Sequence, residues 1–292
     1  MTNNCTRASN RAVIASLLVL AVVCSQAAAA LPEEKLRPED VIAKHLEAVG
    51  AEATRQTVKT RIIQGAVNVT FRSPAIGQAA GRVVMASEGN KHLVGMAFDN
   101  TGYPQERFAF DGNDMTAGYI RPGLRSNLSE FLLTHTAIMK QGLLGGVLSE
   151  AWPLFHLTEK RPKLEYGGTK KIGDKPAHEL RYTPRGGSDV RISLFFDAET
   201  FQHLRTEYVR IISAQLGGNP ELSARQRESR YSMVEDFSDF KKESGLTMPR
   251  TYMLKLELDT RGGTFQAQWE FKLSQFSYNQ KLDPGSFNVG TE

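Results

Sequence analysis

The feature that most constrains this sequence is an alternation of apolar and polar residues between positions 174 and 210. In the segment VRISLFF, Ile192, Leu194 and Phe196 share one side of a strand, because successive strand side chains point to opposite faces. A short polar turn follows at 197–200, and the alternation then resumes. A run that doubles back after so short a turn predicts antiparallel strands with one apolar face.

The same alternation divides the flanking residues of this region into two faces. The predicted inward face also contains Leu180, Tyr182, Leu204, Thr206 and Tyr208. The predicted outward face contains Glu179, Arg181, His203, Arg205 and Glu207. We therefore expect a meandering sheet whose apolar face is covered by another part of the chain.

Short apolar runs separated by turn residues continue on both sides of this region. From Val58 to Ile120 they are divided by Ser-Pro, Glu-Gly-Asn and Asn-Thr-Gly, which is typical of consecutive antiparallel strands. Further strands are predicted at 163–172, 229–240, 246–258 and 263–278. The polar stretch at 216–227 is predicted to be a loop, and Phe287 is predicted to tuck against the sheet.

Two helical patterns occur besides the strands, one before the first strand and one between strands. A helix beginning at Pro38 and ending at Gly50 carries an apolar stripe of Val41, Ile42, Leu46 and Val49. It is either a lid over the open face of the sheet or a helix that closes the core. The second pattern lies in residues 125–162, which we call the insertion.

The insertion begins with apolar residues three and four positions apart, which predict one helix of about four turns capped by Ser126 or Asn127. These residues are Leu128, Phe131, Leu132, His135, Ile138 and Met139. The following run LLGGVLSEAWPLFHL is nearly uncharged but contains two glycines and a proline. We interpret it as a plug or gate pressed into the sheet through Leu143, Leu144, Val147, Leu148, Trp152, Leu154 and Phe155.

The N-terminus predicts export from the cytoplasm. Arg7 and Arg11 precede an apolar run at 12–23, and small residues at 27–30 suit a signal peptidase. We therefore predict a signal peptide at 1–30, a single domain at 31–292 and a periplasmic location. The apolar run is too short to span a membrane, and no transmembrane segment is predicted.

Both cysteines, Cys5 and Cys24, lie within the predicted signal peptide. Attachment of lipid to Cys24 is disfavoured, because Val23 stands where a small residue is needed and Ala21 where leucine is usual. Cleavage leaves a domain without cysteine, which must be held together by its core. Removing the two arginines changes the net charge from +4 to near +2, which argues against a nucleic-acid partner.

The residues needed for catalysis or metal binding do not occur in the required patterns. The sequence contains no G-x-S-x-G motif, and its six histidines are dispersed without H-E-x-x-H or H-x-H spacing. His178 and Glu179 are predicted to be solvated on opposite faces of a strand. We predict no catalytic residue, no metal site, no cofactor and no enzyme activity.

Several segments in this order resemble the LolA/LolB-like family of outer-membrane lipoprotein-sorting proteins. They are the initial VIAKHLEAVGAEA, the F-x-F-D-G turn at 108–112, HELRY, LFFDAETFQHLRTEY, DFSDFKKESGLTMPRTY and the closing LDPGSFNV. The resemblance covers most of residues 38–289. It implies a mainly β fold, an unclosed and strongly curved antiparallel barrel whose concave face holds acyl chains beneath helices. Carriers of this family latch the lid to the sheet with one arginine, which the motifs do not locate here.

The resemblance leads to a functional hypothesis, a periplasmic carrier that holds acyl chains or another hydrophobic ligand and has a lipid or a lipidated protein as its partner. The predicted cavity wall comprises Phe71, Met85, Met96, Phe98, Phe108, Phe110, Leu132, Met139, Trp152 and Phe155. Each of these residues could equally be ordinary core. The alternative is a non-catalytic envelope module that interacts with, or senses, a protein partner; an unrecognised hydrolase is the third hypothesis.

Overall fold

The computed structural model describes residues 36–213 and 228–290. The predicted signal peptide, with both cysteines, lies outside the described residues, and so does the predicted loop at 216–227.

The described strands form one antiparallel sheet of twelve members. Their bounds are β1 Thr60–Ser73, β2 Gly77–Glu88, β3 Lys91–Phe98, β4 Gln105–Phe110, β5 Met115–Ala117, β6 Lys163–Ile172, β7 Lys175–Thr183, β8 Arg191–Asp197, β9 His203–Ile212, β10 Ser229–Glu243, β11 Leu246–Thr260 and β12 Gly263–Tyr278. The order across the sheet is β5-β4-β3-β2-β1-β12-β11-β10-β9-β8-β7-β6. Strands β5 and β6 are the two edges, so the sheet is unclosed, and the insertion connects them along the chain.

Two adjacent glycines of the insertion show how strongly the sheet curves. A Cβ atom built on Gly145 would lie 2.8 Å from Met85 Cε on β2, and one built on Gly146 would lie 2.7 Å from His203 Nδ1 on β9. Strands β2 and β9 are five steps apart, or about 24 Å in a flat sheet. Since neighbouring residues touch both strands, the sheet must bend around the insertion, and the predicted fold class is confirmed.

Alternation along each strand produces a concave, apolar face and an outer face. On β1, Ile63, Val67 and Val69 are fully buried, whereas Gln64 and Asn68 between them are exposed. In the register with β12, Val67 pairs with Phe271 and Val69 with Trp269, which are also buried. The concave face is therefore the main core, as the period-two pattern predicts.

The first helix matches its prediction, but the long helix of the insertion does not. The helices are α1 Pro38–Val49, α2 Glu52–Thr57, α3 Asn127–Thr134, α4 Ala137–Lys140 and α5 Leu157–Lys160. The prediction of one four-turn helix was wrong, because the chain leaves helical geometry at His135, with φ −112° and ψ 54°. Three consecutive weak helix formers, Thr134-His135-Thr136, favour this break. Ser126 is the N-cap, as predicted, and accepts a hydrogen bond from the backbone N–H of Ser129.

A β-bulge explains another error in the predicted faces. The register between β8 and β9 shifts at Phe195/Phe196, so that Phe196 pairs with His203. His203 is consequently fully buried on the concave face, whereas Leu204 packs on the outer side with Ala177 and Phe195. At this bulge β9 has one residue more than β8, so the side chains of β9 before the bulge lie on the opposite face from the one that alternation predicts.

His178 and Glu179 are also less exposed than predicted, at 8% each. Tyr166 lies 3.0 Å from His178 Nδ1, and Ser193 donates a hydrogen bond to Glu179. The prediction that both side chains are solvated was wrong, because neighbouring strands supply them with polar partners. Phe287, in contrast, is fully buried, as expected. Within residues 36–213 and 228–290, none of the helices combines the length and apolarity needed to cross a membrane.

Candidate functional site

The candidate site is the contact between the insertion and the concave face of the sheet. Six large apolar side chains of residues 143–154 have exposures of 0 to 2%: Leu143, Leu144, Val147, Leu148, Trp152 and Leu154. Among the described residues, the backbone-to-backbone hydrogen bonds of 126–161 remain within the insertion and none joins a strand. The insertion is therefore held by side-chain packing and by side-chain hydrogen bonds.

An aromatic ladder forms the floor beneath the middle of the insertion. Phe196, His203, Phe237, Tyr252 and Phe271 lie on five consecutive strands, with successive ring centroids 5.4, 4.6, 5.2 and 4.7 Å apart. These separations match the spacing between strands, which brings one ring from each strand into contact with the next. Trp152 of the insertion stacks on His203 at 4.8 Å.

Arg61 holds the C-terminal part of the insertion. This residue of β1 is 2% exposed, and its guanidinium donates to the carbonyl oxygen of Val147 and to the carboxylate of Glu150. Burial raises the pKa of Glu150, while the Arg61 charge opposes that rise. A buried pair of this kind is strongly destabilising to break from one side, because the remaining charge loses its partner.

Glu235 holds the middle of the insertion. Its carboxylate is fully buried on β10 and accepts hydrogen bonds from the Gly145 N–H at 2.6 Å and from the Tyr208 and Tyr252 hydroxyls at 2.7 Å. Burial raises the pKa of Glu235 to about 7, although the three donors lower it. No cation forms an ion pair with this carboxylate among the described residues, so its charge is stabilised only by neutral donors.

Glu106 holds the start of the insertion. It is 1% exposed on β4 and accepts hydrogen bonds from the hydroxyls of Ser126, Ser129 and Tyr103. Burial raises the pKa of Glu106, and the three hydroxyl donors counteract that rise. Three buried carboxylates thus hold the start, middle and end of the insertion, and we call Glu106, Glu235 and Glu150 the three anchors.

Helix α1 contributes His45, a fully buried imidazole that contacts the insertion. Its Nδ1 lies 2.9 Å from the carbonyl oxygen of Phe201, and its Nε2 lies 3.4 Å from Trp152 Nε1. The carbonyl requires a proton on Nδ1, which leaves Nε2 free to accept from the indole. Burial lowers the pKa of His45 to about 4, in agreement with this neutral form.

The ten residues predicted to line a cavity all belong to the core cluster around the insertion. Phe71, Met85, Met96, Phe98, Phe108 and Phe110 come from β1 to β4, and Leu132, Met139, Trp152 and Phe155 come from the insertion. Phe71 and Phe155 are partly buried and the other eight are buried. That they bind a ligand remains a prediction.

Close packing, and not a large void, fills the space beneath the insertion at strands β2 and β3. A cavity of about 10 Å³ lies there, lined by residues that include Met85, Val94, Leu144 and Leu148. This volume is about that needed for one water molecule. The insertion itself occupies the place on the concave face where a ligand would lie.

Sequence reasoning did not identify Arg61, Glu106 or Glu235 as parts of this site. A signal did exist for Glu235, since it stands between Met233 and Phe237 in the inward-facing series of its strand. An acid in an apolar series is informative because burial of an unpaired charge is costly. In the described ranges no three side chains of the metal-binding types converge on a metal site.

Comparison with known proteins gives distant structural similarity only. No family model matches the sequence, and no curated protein does. The structure is similar to a LolA superfamily protein from Nitrosomonas europaea, with 13% identity, 87% of this chain and 98% of that chain covered, and a TM-score of 0.47. It is also similar to an outer-membrane lipoprotein-sorting domain, described as putative, from Vibrio parahaemolyticus, with 10% identity, coverage of 86% and 97%, and a TM-score of 0.43.

A third similar structure is the MucA/MucB complex of Pseudomonas aeruginosa, with 12% identity, coverage of 82% and 99%, and a TM-score of 0.23. These likenesses concern the fold alone. The unclosed, strongly curved antiparallel sheet with helices on its concave face is established by the strand order and the contacts described above.

Proposed function

We propose that this protein is an envelope binding protein for a hydrophobic ligand, a lipid or a lipidated protein, which replaces the insertion on the concave face. The observation that supports it best is the way the insertion is attached. Most of its apolar side chains are buried, yet among the described residues no hydrogen bond joins its backbone to the backbone of a strand. It can therefore leave without breaking the sheet.

The energies of the exchange are balanced. Exposing the six large apolar side chains that residues 143–154 bury costs about 12 kcal/mol, at roughly 2 kcal/mol for each. An acyl chain of about 16 carbons gains about 13 kcal/mol when it is buried, at ~0.8 kcal/mol per methylene. One or two chains of this length thus compensate for displacement of the insertion, and the ligand covers the concave face in its place.

Arg61 fits the latch role that the resemblance implies for an arginine. It projects from the sheet into the insertion and binds both a main-chain carbonyl and a carboxylate there. When the latch opens, Glu150 reaches water, while Arg61 stays at the edge of the exposed face. A ligand with an acidic head group would then replace Glu150 as the partner of Arg61.

The test is the binding of a dansyl-labelled fatty acid by the purified domain, followed by fluorescence. The variant Arg61→Met/Glu150→Gln removes the ion pair without leaving an isolated charge, and we expect it to bind the probe faster than wild type. The control is Arg205→Met, which removes an arginine whose partners Asp236 and Glu207 belong to strands and not to the insertion. The proposal fails if the folded wild type and the double variant both bind no probe and yield no lipid on solvent extraction.

A second function, an envelope module that binds a protein segment, is favoured by the dense filling beneath the insertion. Such a module would leave the concave face closed and would use the edge strand β6, whose free backbone groups can pair with an added strand. Lys170 and Lys171 on this strand favour an acidic segment, whereas Lys163 is paired with Glu165. Absence of lipid together with hydrogen-exchange protection of β6 by an acidic partner peptide would support this alternative.

A further inference from the structure

The outer face of the sheet carries a trough of about 540 Å³ over strands β12, β1, β2, β3 and β4. The strand register aligns two rows of outer-face residues along it. The first row is Gln275, Gln64, Val84, Gly95 and Arg107. The second row is Lys272, Ala66, Arg82, Ala97 and Gln105. The trough is of the size that small-molecule sites have in proteins.

Small residues and a bulge explain why an outward-curving surface contains a depression. Gly95 and Ala97 leave the floor of the trough low between longer side chains. At the Gln64/Gly65 bulge the register with β12 shifts, and a Cβ atom on Gly65 would lie 2.1 Å from the Lys272 carbonyl oxygen. The two backbones therefore approach closely there, and the bulge bends the sheet locally.

The charges in the trough are of one sign. Arg82 and Arg107 both line it, and no carboxylate does. Neither arginine forms an ion pair with any residue in the described part of the chain. The Nε of Arg107 is buried and has no hydrogen-bond partner. Such unsatisfied donors are uncommon in folded proteins.

The trough also contains groups that suit an uncharged part of a ligand. Val84, at 40% exposure, is one of the large apolar side chains that face solvent, and it lies beside Gly95 and Ala97. The amides of Gln64 and Gln275 lie on the same row and can donate or accept hydrogen bonds. Arg82 and Arg107 are separated by one intervening strand and by two residues along it, or about 12 Å, which two long side chains can span.

We propose that this trough is a binding site for a small organic anion, with a carboxylate or phosphate head held by Arg82 and Arg107 and a short apolar stem on Val84 and Ala97. Arginine forms paired hydrogen bonds with both kinds of head group. The site is independent of the proposed function, because it lies on the opposite face of the sheet from the insertion.

The experiment is calorimetric titration of the folded domain with octyl phosphate, octanoate and octyl glucoside at concentrations below micelle formation. We expect saturable binding of one or both anions, at least about tenfold tighter than binding of the neutral glucoside, and weaker at high salt. The two anionic probes distinguish a phosphate from a carboxylate ligand. Equal binding of all three probes, or no saturable binding, would overturn the proposal.

Two kinds of variant test the location of the site. Arg82→Gln/Arg107→Gln should weaken anion binding by about tenfold or more, whereas the control Arg191→Gln, on β8, should leave it unchanged. Gly95→Leu should also abolish binding while both arginines remain, because the leucine side chain would occupy the floor of the trough. The sheet itself can accept this side chain, since only Leu93 Cδ1, at 3.7 Å, lies near a Cβ built on Gly95.

These variants also separate this proposal from the carrier function. The trough variants should still bind the dansyl-labelled fatty acid, while Arg61→Met/Glu150→Gln should still bind octyl phosphate. Anion binding that persists in both trough variants shows that the anion sits elsewhere, and the proposal is then wrong. Circular dichroism of each variant confirms that it is folded.

Discussion

The end and the middle of the insertion are held by chemically different groups. At the end, the buried Glu150 carboxylate faces the Arg61 guanidinium, so both charges are compensated. At the middle, the buried Glu235 carboxylate faces only an N–H group and two phenol hydroxyls. In the first contact the Arg61 charge opposes the rise in the pKa of Glu150 that burial causes, whereas at the second contact burial raises the pKa of Glu235 to about 7 without an opposing cation. The two anchors therefore differ in whether a cation stabilises the buried carboxylate.

The largest effect should come from removing one half of the ion pair. Arg61→Met leaves the buried Glu150 without its ion-pair partner, and we expect the free energy of unfolding to fall by about 4 kcal/mol. Urea denaturation at pH 7 measures it. The variant Arg61→Met/Glu150→Met should recover most of the loss, since no isolated charge remains. A loss below about 1 kcal/mol would mean that water already reaches Glu150, and that this anchor is not a buried pair.

The middle anchor, Glu235, should make the free energy of unfolding depend on pH. The pKa of Glu235 is raised from its usual 4.5 to about 7 in the folded protein. Below pH 4.5 the carboxyl group is protonated in both the folded and the unfolded state, so it does not lower the free energy of unfolding. As pH rises from 4.5 through 7, the unfolded state loses the proton more readily than the folded state, and the free energy of unfolding falls. We therefore expect Glu235→Gln to gain stability relative to wild type between these values, by about 3 kcal/mol in total.

The difference between wild type and Glu235→Gln is the quantity to measure, by urea denaturation at several pH values. His45 has the opposite slope, because burial lowers its pKa to about 4, and stability is lost as pH falls from 6.5. Asp236 adds to the repulsion at Glu235 and is unchanged in the variant. A stability difference that does not vary with pH would show that Glu235 is not the titrating anchor.

Between these two anchors lies Gly146, which tests how closely the insertion fits the aromatic ladder. Gly146 has φ +50°, and an added Cβ would lie 2.7 Å from His203 Nδ1. Gly173 has a similar φ of +59° with nothing within 4 Å, so Gly173→Ala measures backbone strain alone. We expect Gly146→Ala to cost about 2 kcal/mol more than Gly173→Ala in thermal or urea unfolding. Equal losses would indicate that the insertion stands away from the ladder.

The strands of the sheet could be predicted from the sequence, whereas the charged residues of the anchors could not be recognised as buried. The period-two pattern predicted most strands and their apolar face, because each strand is half buried in a regular way. It could not predict the face of His203, which depends on one extra residue at a bulge. The anchors were missed for a related reason. A charged residue is ordinarily assigned to solvent. Arg61 and Glu235 are buried because the insertion, distant in sequence, supplies both oxygen acceptors of Arg61 and one of the three donors to Glu235.

The smallest predicted effect concerns the first anchor. Ser126 accepts a hydrogen bond from the Ser129 N–H at 2.9 Å and donates one to Glu106 at 2.8 Å. Ser126→Ala should lower the free energy of unfolding by about 1 kcal/mol through loss of the helix cap, and Ser126→Thr should restore part of it. Urea denaturation of the three proteins measures these differences.

Ligand exchange then separates the first anchor from the other two. Glu106 binds residues of the first turn of α3, next to the point where the insertion leaves the sheet, so it can remain in place while the rest of the insertion moves. We therefore expect Ser126→Ala to leave the rate of dansyl fatty-acid binding unchanged, whereas the Arg61 double variant accelerates it. If Ser126→Ala accelerates binding as much, the insertion moves as a whole and the ion pair is not its latch.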